Sequence, residues 1–453
     1  MTTEDAEYSP SSTATANIRE RGHIGLLVLV SIGAGLILGL VFVLAVFDGG
    51  TEAQITGSAL IVLGAGFVLL ALASRRFTAQ PQDWALAPGV AAAAVGVGVL
   101  VLSPGDHLLR LAGWVWPLLL LLLVGWSFRG ARRSLHNWSR RALLYPALFV
   151  LGLVAVGGAF ETVVEATMTN PAPGGGTYLV DGHRLYLNCV GAGAPTVLLF
   201  NGLGERTPSW AWVQRPLAET TRVCVFDRAG QGWSGAAPGR QDGHQLATDL
   251  QGLLTAARIP GPYVLAGHST GGTYALTYAA RYPQQVAGVA LIDSATPYQF
   301  ELPDYPSFYS TFRRVMALFP SLARAGIARP TLGTGFATLP PDARDQLRTF
   351  AVMPRELRAN RNEFLELPTV FEQAKSLKSL GDKPVAVLSA DQDQQRGWAT
   401  AQEKLAQLSS NSVHRTAHGS THSALLEEER FASITTRVIA DVVRAARSGQ
   451  PQR

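Results

Sequence analysis

Residues 262–273 read Pro-Tyr-Val-Leu-Ala-Gly-His-Ser-Thr-Gly-Gly-Thr, and this stretch decides how the chain of 453 residues folds. It begins as a short apolar strand, passes through small residues around Ser269, and continues into the amphipathic pattern of a helix at 273–281. A serine on such a sharp strand-to-helix turn is exposed to reactants, and the amino end of the helix favours developing negative charge. We therefore predict that Ser269 is a nucleophile.

A serine hydroxyl needs a neighbouring base, which is usually a histidine. His422, in Gly-Ser-Thr-His at 419–422, follows the strand-like stretch 412–417 and precedes a carboxy-terminal helical pattern. This position fits the chain order Ser, acid, His, so we predict His422 as the base. His418 is its rival, and His414 is expected to be structural or exposed.

Three aspartates are candidates for the acid that orients this histidine. Asp393 is the first choice because it follows the strand-like stretch 384–388 and precedes His422. Asp293, at the end of the stretch 286–292, is the second, and Asp391 is the third.

Buried β-rich runs alternate with helical patterns from Thr177 onward, which predicts a mostly parallel sheet with helices on both faces. Residues 296–380 interrupt the alternation with a long, mainly helical segment rich in Phe, Tyr and Pro, and we interpret it as a cap.

The oxyanion of an acyl-transfer reaction needs two preorganised donors. We assign them to the backbone N–H groups of Thr270 and of Leu203, in the loop after 196–200.

These motifs together resemble the α/β-hydrolase superfamily, in its esterase-like, cap-bearing group. The resemblance covers residues 178–446 and rests on Val-Leu-Leu-Phe-Asn-Gly-Leu-Gly (197–204), Asp-Arg-Ala-Gly-Gln-Gly-Trp-Ser (227–234), the turn at Ser269 and the Gly-Ser-Thr-His stretch. Asn201 stands where the superfamily often has His, and the usual Gly-x-x-Asp appears as Ala-Asp-Gln-Asp at 390–393. Related cap-bearing enzymes can carry the acid at the end of the earlier strand, here the stretch 286–292, so Asp293 stays a candidate for the acid.

The two cysteines, Cys189 and Cys224, each lie in a strand-like run. Their spacing alone leaves a disulfide and two buried free thiols equally open. The resemblance favours the disulfide, because it implies that the second and fourth strands, which carry them, are neighbours.

The first 165 residues have a different character, with five uncharged apolar runs at about 24–47, 55–74, 84–102, 111–128 and 143–160. Runs of this length can cross a bilayer as helices, so we predict a multi-pass membrane region at 23–165, with the lipid bilayer as its partner. A polar tail at 1–22, predicted to be disordered, precedes it, and a breaker-rich linker at 166–177 follows it.

The arginines near these runs indicate the orientation. They concentrate before the first run and after the second and fourth: Arg19, Arg21, Arg75, Arg76, Arg129, Arg132, Arg133, Arg140 and Arg141. With the amino end inside and five crossings, the domain after about residue 165 is predicted to lie outside the cytoplasm.

These observations predict a membrane-anchored serine hydrolase that cleaves a small, hydrophobic carboxylic ester through an acyl-enzyme, with no metal and no organic cofactor. Peptide or amide cleavage and acyl transfer use the same residues and stay open. A catalytically silent ligand-binding module is an alternative from another class, and a channel is disfavoured because the apolar runs contain no ionisable residue. The net charge of +5 is small for this length, and no dense basic patch supports nucleic-acid binding.

Overall fold

The computed structural model describes residues 24–135, 138–168 and 170–451. These residues belong to two compact units, one formed by residues up to Thr167 together with Pro320–Ile327, and the other by Met168–Phe319 with Ala328 onward. The tail predicted at 1–22 lies outside the described residues.

The described residues of the first unit up to Thr167 form helices joined by short connections. They are α1 (Ile24–Val41), α2 (Glu52–Phe77), α3 (Leu86–Leu102), α4 (Asp106–Gly113), α5 (Trp116–Ser134) and α6 (Trp138–Thr167), with a π-helical turn at Phe42–Val46 and a 3₁₀ turn at Asp83–Ala85. Three spans are long and apolar enough to cross a membrane, Glu52–Phe77, Asp83–Leu102 and Leu144–Thr167, and a fourth results if α4 and α5 count as one. Within α1, the apolar stretch Leu26–Val41 is shorter than these spans.

The fourth predicted run is not one straight helix, because α4 and α5 meet at an angle of 48°. Pro117 lies in the first turn of α5, where a residue without an N–H is tolerated, so the chain starts a new helix there. Most of the exposed large hydrophobic side chains of the described residues lie between Leu26 and Val163. Exposed apolar surface of this extent is typical of sites that contact a membrane or another protein.

Within this first unit, the segment Pro320–Ile327 packs at one end of the helices. Arg324 forms ion pairs with Glu52, at the start of α2, and with Asp106, at the start of α4, the latter at 2.6 Å. The hydroxyls of Ser321 and Thr56 are 2.9 Å apart. The loops at this end, 48–51 and 103–105, contain no Lys or Arg.

The second unit contains one eight-stranded sheet in the order β1-β2-β4-β3-β5-β6-β7-β8. Its strands are β1 (Gly176–Val180), β2 (His183–Val190), β3 (Thr196–Phe200), β4 (Val223–Asp227), β5 (Tyr263–His268), β6 (Val286–Ile292), β7 (Val385–Ala390) and β8 (Ser412–Ala417). Only the pairings of β1 with β2 and of β2 with β4 are antiparallel. The predicted α/β-hydrolase fold is therefore confirmed.

Helices cover both faces of this sheet, as continuous apolar strands require. Along β3, Leu198 and Phe200 join one buried cluster, while Val197 and Leu199 join the other, because successive side chains alternate between faces. The covering helices are α7 (Ala211–Ala218), α8 (Gly243–Ala256), α9 (Thr270–Arg281), α14 (Trp398–Ala406), α15 (Ala424–Glu427) and α16 (Glu429–Ser448).

The long excursion between β6 and β7 is helical. It contains α10 (Tyr305–Arg324), α11 (Ala328–Leu332), α12 (Pro341–Val352) and α13 (Pro354–Ala374). We refer to the segment 296–380 as the cap. At the opposite edge of the sheet, Cys189 on β2 lies directly opposite Cys224 on β4, and the two are joined by a disulfide.

Candidate active site

Ser269 occupies a strained turn between β5 and α9, with φ 54° and ψ −128°. Left-handed backbone is unfavourable for a residue with a side chain and must be held by its surroundings. Here the N–H of Ser269 donates to the carbonyl oxygen of Ile292 at 3.2 Å. A Cβ atom on Gly271 would come within 2.1 Å of the Phe200 carbonyl oxygen, so only glycine lets α9 start this close to β3. The turn presents a half-buried Ser269 at the end of β5.

Asp293 is the carboxylate that meets His422. Its Oδ2 lies 2.6 Å from Nδ1 of His422, and its Oδ1 accepts a hydrogen bond from the indole of Trp398 at 2.8 Å. The Asp293 side chain is 1% exposed, whereas that of His422 is 45% exposed. Burial alone would raise the pKa of Asp293, but the hydrogen bonds from His422 and Trp398 and the charge of His422 hold it below its ordinary value. Asp293 is thus ionised and fixes the orientation of the imidazole.

Asp393, the first choice from sequence, is not beside His422. It lies in the turn beyond the end of β7, with φ 57°, and its exposed carboxylate makes no hydrogen bond or ion pair with any described residue. Asp293 directly follows β6, which pairs with β5, so it lies one strand away from Ser269. The structure therefore places the second candidate, Asp293, and not Asp393, beside His422, because strand adjacency and not distance along the chain brings a carboxylate to the histidine.

Asp391 and His418 pair with each other, away from His422. Nδ1 of His418 is 3.0 Å from Oδ2 of Asp391, whose Oδ1 accepts from the N–H of Gly419 at 2.8 Å. Hydrogen bonds from Gln392 and His418 hold the pKa of Asp391 below its ordinary value. His414 instead bonds the hydroxyl of Ser389 at 2.8 Å.

The loop after β3 lies against the serine, since a Cβ atom on Gly202 would be 2.9 Å from Cβ of Ser269. The side-chain amide of Asn201 donates to the Phe226 carbonyl at 2.8 Å, and its oxygen accepts from Trp210 at 3.0 Å. The N–H of Leu203 meets no acceptor among the described residues. Thr270 is the first residue of α9, so its N–H has no partner within the helix. Both predicted oxyanion donors are thus available.

Sequence reasoning missed a pair next to the serine, formed by the buried His268 and the partly buried Glu205. Nδ1 of His268 bonds Oε1 of Glu205, and Oε2 of Glu205 accepts from the N–H of Gly202 at 2.5 Å. Burial favours the neutral forms, yet their mutual attraction lowers the pKa of Glu205 and raises the pKa of His268. The sequence offered one indication of this pair: an acid, Glu205, and a histidine, His268, each lie in one of the two glycine-rich turns, at 202–205 and 267–272.

Apolar cap residues gather near the loop that carries Leu203. Phe364, Leu367, Phe371 and Trp398 are buried in one cluster with Ala295 and Tyr305, and partly buried residues pack against it: Leu203, Phe300, Tyr309, Phe312 and Phe319. Phe308 stacks on Phe312 with ring centroids 5.2 Å apart.

The fold agrees with comparisons to known proteins. A model of the α/β hydrolase fold matches residues 195–429, more than half of the chain. The chain therefore belongs to the α/β-hydrolase family, as its motifs predicted, and the fold supports a hydrolase.

Individual relatives are more distant. An uncharacterized protein of Schizosaccharomyces pombe is 28% identical over 218 residues, which are 47% of this chain and 40% of that protein. The chain thus spans less than half the length of this curated relative. The haloalkane dehalogenase DbeA from Bradyrhizobium elkani is 18% identical, with a TM-score of 0.50 over 60% of this chain and 98% of that one. An esterase from Thermogutta terrifontis is 22% identical, with a TM-score of 0.48 over 60% of this chain and 99% of that one.

Proposed function

We propose that this protein is a membrane-anchored serine hydrolase that cleaves a carboxylic ester with a hydrophobic acyl or alcohol part. The observation that carries the proposal is the position of Ser269 on its strained turn, one strand away from the Asp293–His422 pair at 2.6 Å. Because Nδ1 of His422 faces the carboxylate, Nε2 is the nitrogen left to act as base.

The reaction follows from these groups. Oγ of Ser269 attacks the ester carbonyl carbon while its proton passes to Nε2 of His422, and the N–H groups of Thr270 and Leu203 receive the oxyanion. Collapse of this intermediate breaks the bond to the alcohol oxygen, which takes the proton from His422 and leaves an acyl-serine. Water then gives a proton to His422 and attacks the acyl carbon. The acid departs, and Ser269 regains its proton.

The nature of the cap supports a hydrophobic substrate. The aromatic cluster of Phe300, Tyr309, Phe312 and Phe364 extends to Leu203, whose N–H is an oxyanion donor in this proposal. Apolar surface beside the reacting carbonyl favours acyl chains over charged groups, at about 0.8 kcal/mol for each CH₂ that becomes buried.

The proposed location is the outer face of a membrane. Two helix ends whose loops lack Lys and Arg, at Glu52 and Asp106, both pair with Arg324, which belongs to the same unit. The arginine-rich ends, at Arg75 and Arg133, belong to the other ends of α2 and α5. This agrees with an orientation in which the arginine-rich ends are cytoplasmic.

The test uses the full-length protein in detergent and Ser269→Ala as its matched control. A fluorophosphonate probe should label the wild type at Ser269 and leave the variant unlabelled. p-Nitrophenyl esters of increasing chain length should give a kcat/KM that rises from acetate to octanoate, with much slower turnover of the matching anilides.

Other results would favour other functions. Faster turnover of anilides would indicate an amidase, and product partition toward an added alcohol would indicate acyl transfer. A folded wild type that neither labels nor turns over any ester would contradict the enzyme proposal and favour a ligand-binding module.

A further inference from the structure

Two buried arginines of the sheet domain are held by one face of cap helix α13. Arg206 donates to Glu356 at 2.7 Å and to Asn360 at 2.6 Å, and Arg228 donates to Glu363 at 2.7 Å. Glu356, Asn360 and Glu363 follow the spacing i, i+4, i+7, so they project from the same side of the helix. The side chains of Arg228 and Glu363 are 6% and 4% exposed.

Arg228 also holds the backbone of the loop beside Ser269. Its Nη1 donates to the Asn201 carbonyl oxygen at 2.5 Å, and its Nη2 donates to the Gly202 carbonyl oxygen at 2.9 Å. The Gly202 oxygen also accepts from the N–H of Glu205 at the longer distance of 3.2 Å. One guanidinium therefore joins a cap carboxylate to two successive carbonyl groups of this loop.

The direction of these carbonyl groups fixes the direction of the N–H groups. In a trans peptide, the C=O and the following N–H point to opposite sides of the chain. In the peptide between Asn201 and Gly202, the carbonyl oxygen accepts a hydrogen bond from Arg228, and the N–H on the opposite side donates to Glu205. In the next peptide, between Gly202 and Leu203, the carbonyl oxygen also accepts a hydrogen bond from Arg228. The N–H on the opposite side is that of Leu203, which has no acceptor among the described residues.

We propose that Arg228, held by Glu363 of the cap, is a positioning residue that directs the Leu203 N–H toward the reacting carbonyl oxygen. The inference rests on the proposed function, because it gives this N–H the role of an oxyanion donor. It follows that the cap takes part in the chemistry: the seating of α13 sets the geometry of the oxyanion loop. Arginine suits this role because its planar fork reaches several oxygens at once, which the single ammonium of lysine cannot do with the same geometry.

The closing experiment compares full-length Arg228→Lys with the wild type. The variant keeps a charge opposite Glu363 but loses the fork. A double variant, Arg228→Met with Glu363→Met, removes both charges and leaves no unpaired buried ion, so it covers the case in which the lysine variant does not fold. The matched control is Arg240→Ala, which removes an ion pair to Glu366 on the same helix, at 2.6 Å, from a side chain that is 74% exposed.

The measurements are KM for a p-nitrophenyl ester and kcat, which is normalised to the number of sites titrated by a fluorophosphonate. We expect kcat to fall about 100-fold in the Arg228 variants with KM changed less than about threefold, as for loss of one oxyanion donor. Arg240→Ala should keep the wild-type kcat. Affinity for a trifluoromethyl ketone, which forms an oxyanion on the serine, should fall in parallel with kcat.

A purely structural role would give a different result. Normal kcat per titrated site, together with a lower unfolding temperature, would mean that Arg228 only fastens the cap, and would overturn the proposal. Hydrogen–deuterium exchange of the peptide 200–206 provides a readout that needs no activity. Exchange should be faster in the Arg228 variants than in Arg240→Ala, and equal exchange would also contradict the inference. A wild type without turnover or labelling would instead contradict the proposed function, and the exchange data would still test the positioning.

Discussion

His268 donates from Nε2 to the backbone carbonyl oxygen of His422 at 3.0 Å, and the two imidazole rings lie 4.4 Å apart. Only Nε2–H can make this bond, because a carbonyl oxygen is solely an acceptor. The other ring nitrogen meets Glu205, which in turn holds the N–H of Gly202. The histidine of the proposed triad and the oxyanion loop are thus connected through the partly buried ion pair of His268 and Glu205.

This pair should make stability depend on pH. The lowered pKa of Glu205 contributes stability above its ordinary value of 4.5, which is lost as the pH falls through the folded value. The raised pKa of His268 contributes stability below its ordinary value of 6.5, which is lost as the pH rises through the folded value. The unfolding temperature of Glu205→Gln should therefore fall furthest below that of the wild type between about pH 4.5 and 6.5.

The control for this prediction is His418→Gln, which removes the exposed pairing of His418 with Asp391. Its unfolding temperature should stay close to that of the wild type throughout the pH range. An equal, pH-independent loss in both variants would mean that the pair of His268 and Glu205 contributes no linked protonation.

Asp293→Asn should lower kcat by about 10,000-fold, because an amide at this position stabilises the wrong tautomer of the histidine and cannot stabilise its protonated form. Asp393→Asn and Asp391→Asn should keep kcat within about threefold, since neither carboxylate contacts His422. Steady-state rates on one ester, normalised to the amount of folded protein, show which of the three aspartates is the acid. A large loss in Asp393→Asn together with a mild loss in Asp293→Asn would contradict the assignment of the acid to Asp293.

Loss of the disulfide should destabilise the sheet edge. Cys189 and Cys224 are 35 residues apart, and a loop of this length corresponds to about 3 to 4 kcal/mol of unfolded-state entropy. The paired substitution to serine should lower the unfolding temperature by several degrees while ester turnover at 20 °C persists, because the bond lies at the edge of the sheet that is remote from β6. Unchanged melting would indicate that the thiols are reduced in the protein as isolated.

The orientation in the membrane can be read from thiol labelling of intact cells. Arg133→Cys places an exposed thiol at the end of α5, and Asp345→Cys places one on the cap. A membrane-impermeant maleimide should modify the cap thiol and spare the other, while permeabilised cells should label both. Both native cysteines are in the disulfide, so they add no background. The reverse pattern would place the hydrolase domain in the cytoplasm.

Much of the sheet domain is predictable because its signals are local. The limits of β3 and β6 agree with the apolar runs 196–200 and 286–292, since buried parallel strands are continuously hydrophobic. The serine turn and its histidine carry short motifs of their own. The acid does not, because several strand ends carry an aspartate and the neighbour of β5 is known only once the strand order is known.

Long-range polar contacts were beyond sequence reasoning for a related reason. Arg228 and Glu363 are 135 residues apart. The sequence between them does not indicate that the face of α13 with Glu363 packs toward the sheet. The bend between α4 and α5 was also missed, because hydropathy registers the apolar character of a segment but not the point where a helix is interrupted.

The contacts of α13 limit how this protein can diversify. A cap from another hydrolase that lacked acidic groups at the positions of Glu356 and Glu363 would leave Arg206 and Arg228 as uncompensated buried cations, at a cost of several kcal/mol for each. Cap and sheet are therefore expected to be inherited together, and recombination between them should be selected against. Substitution within the aromatic lining is the route by which such a lineage could acquire new substrates while keeping its scaffold.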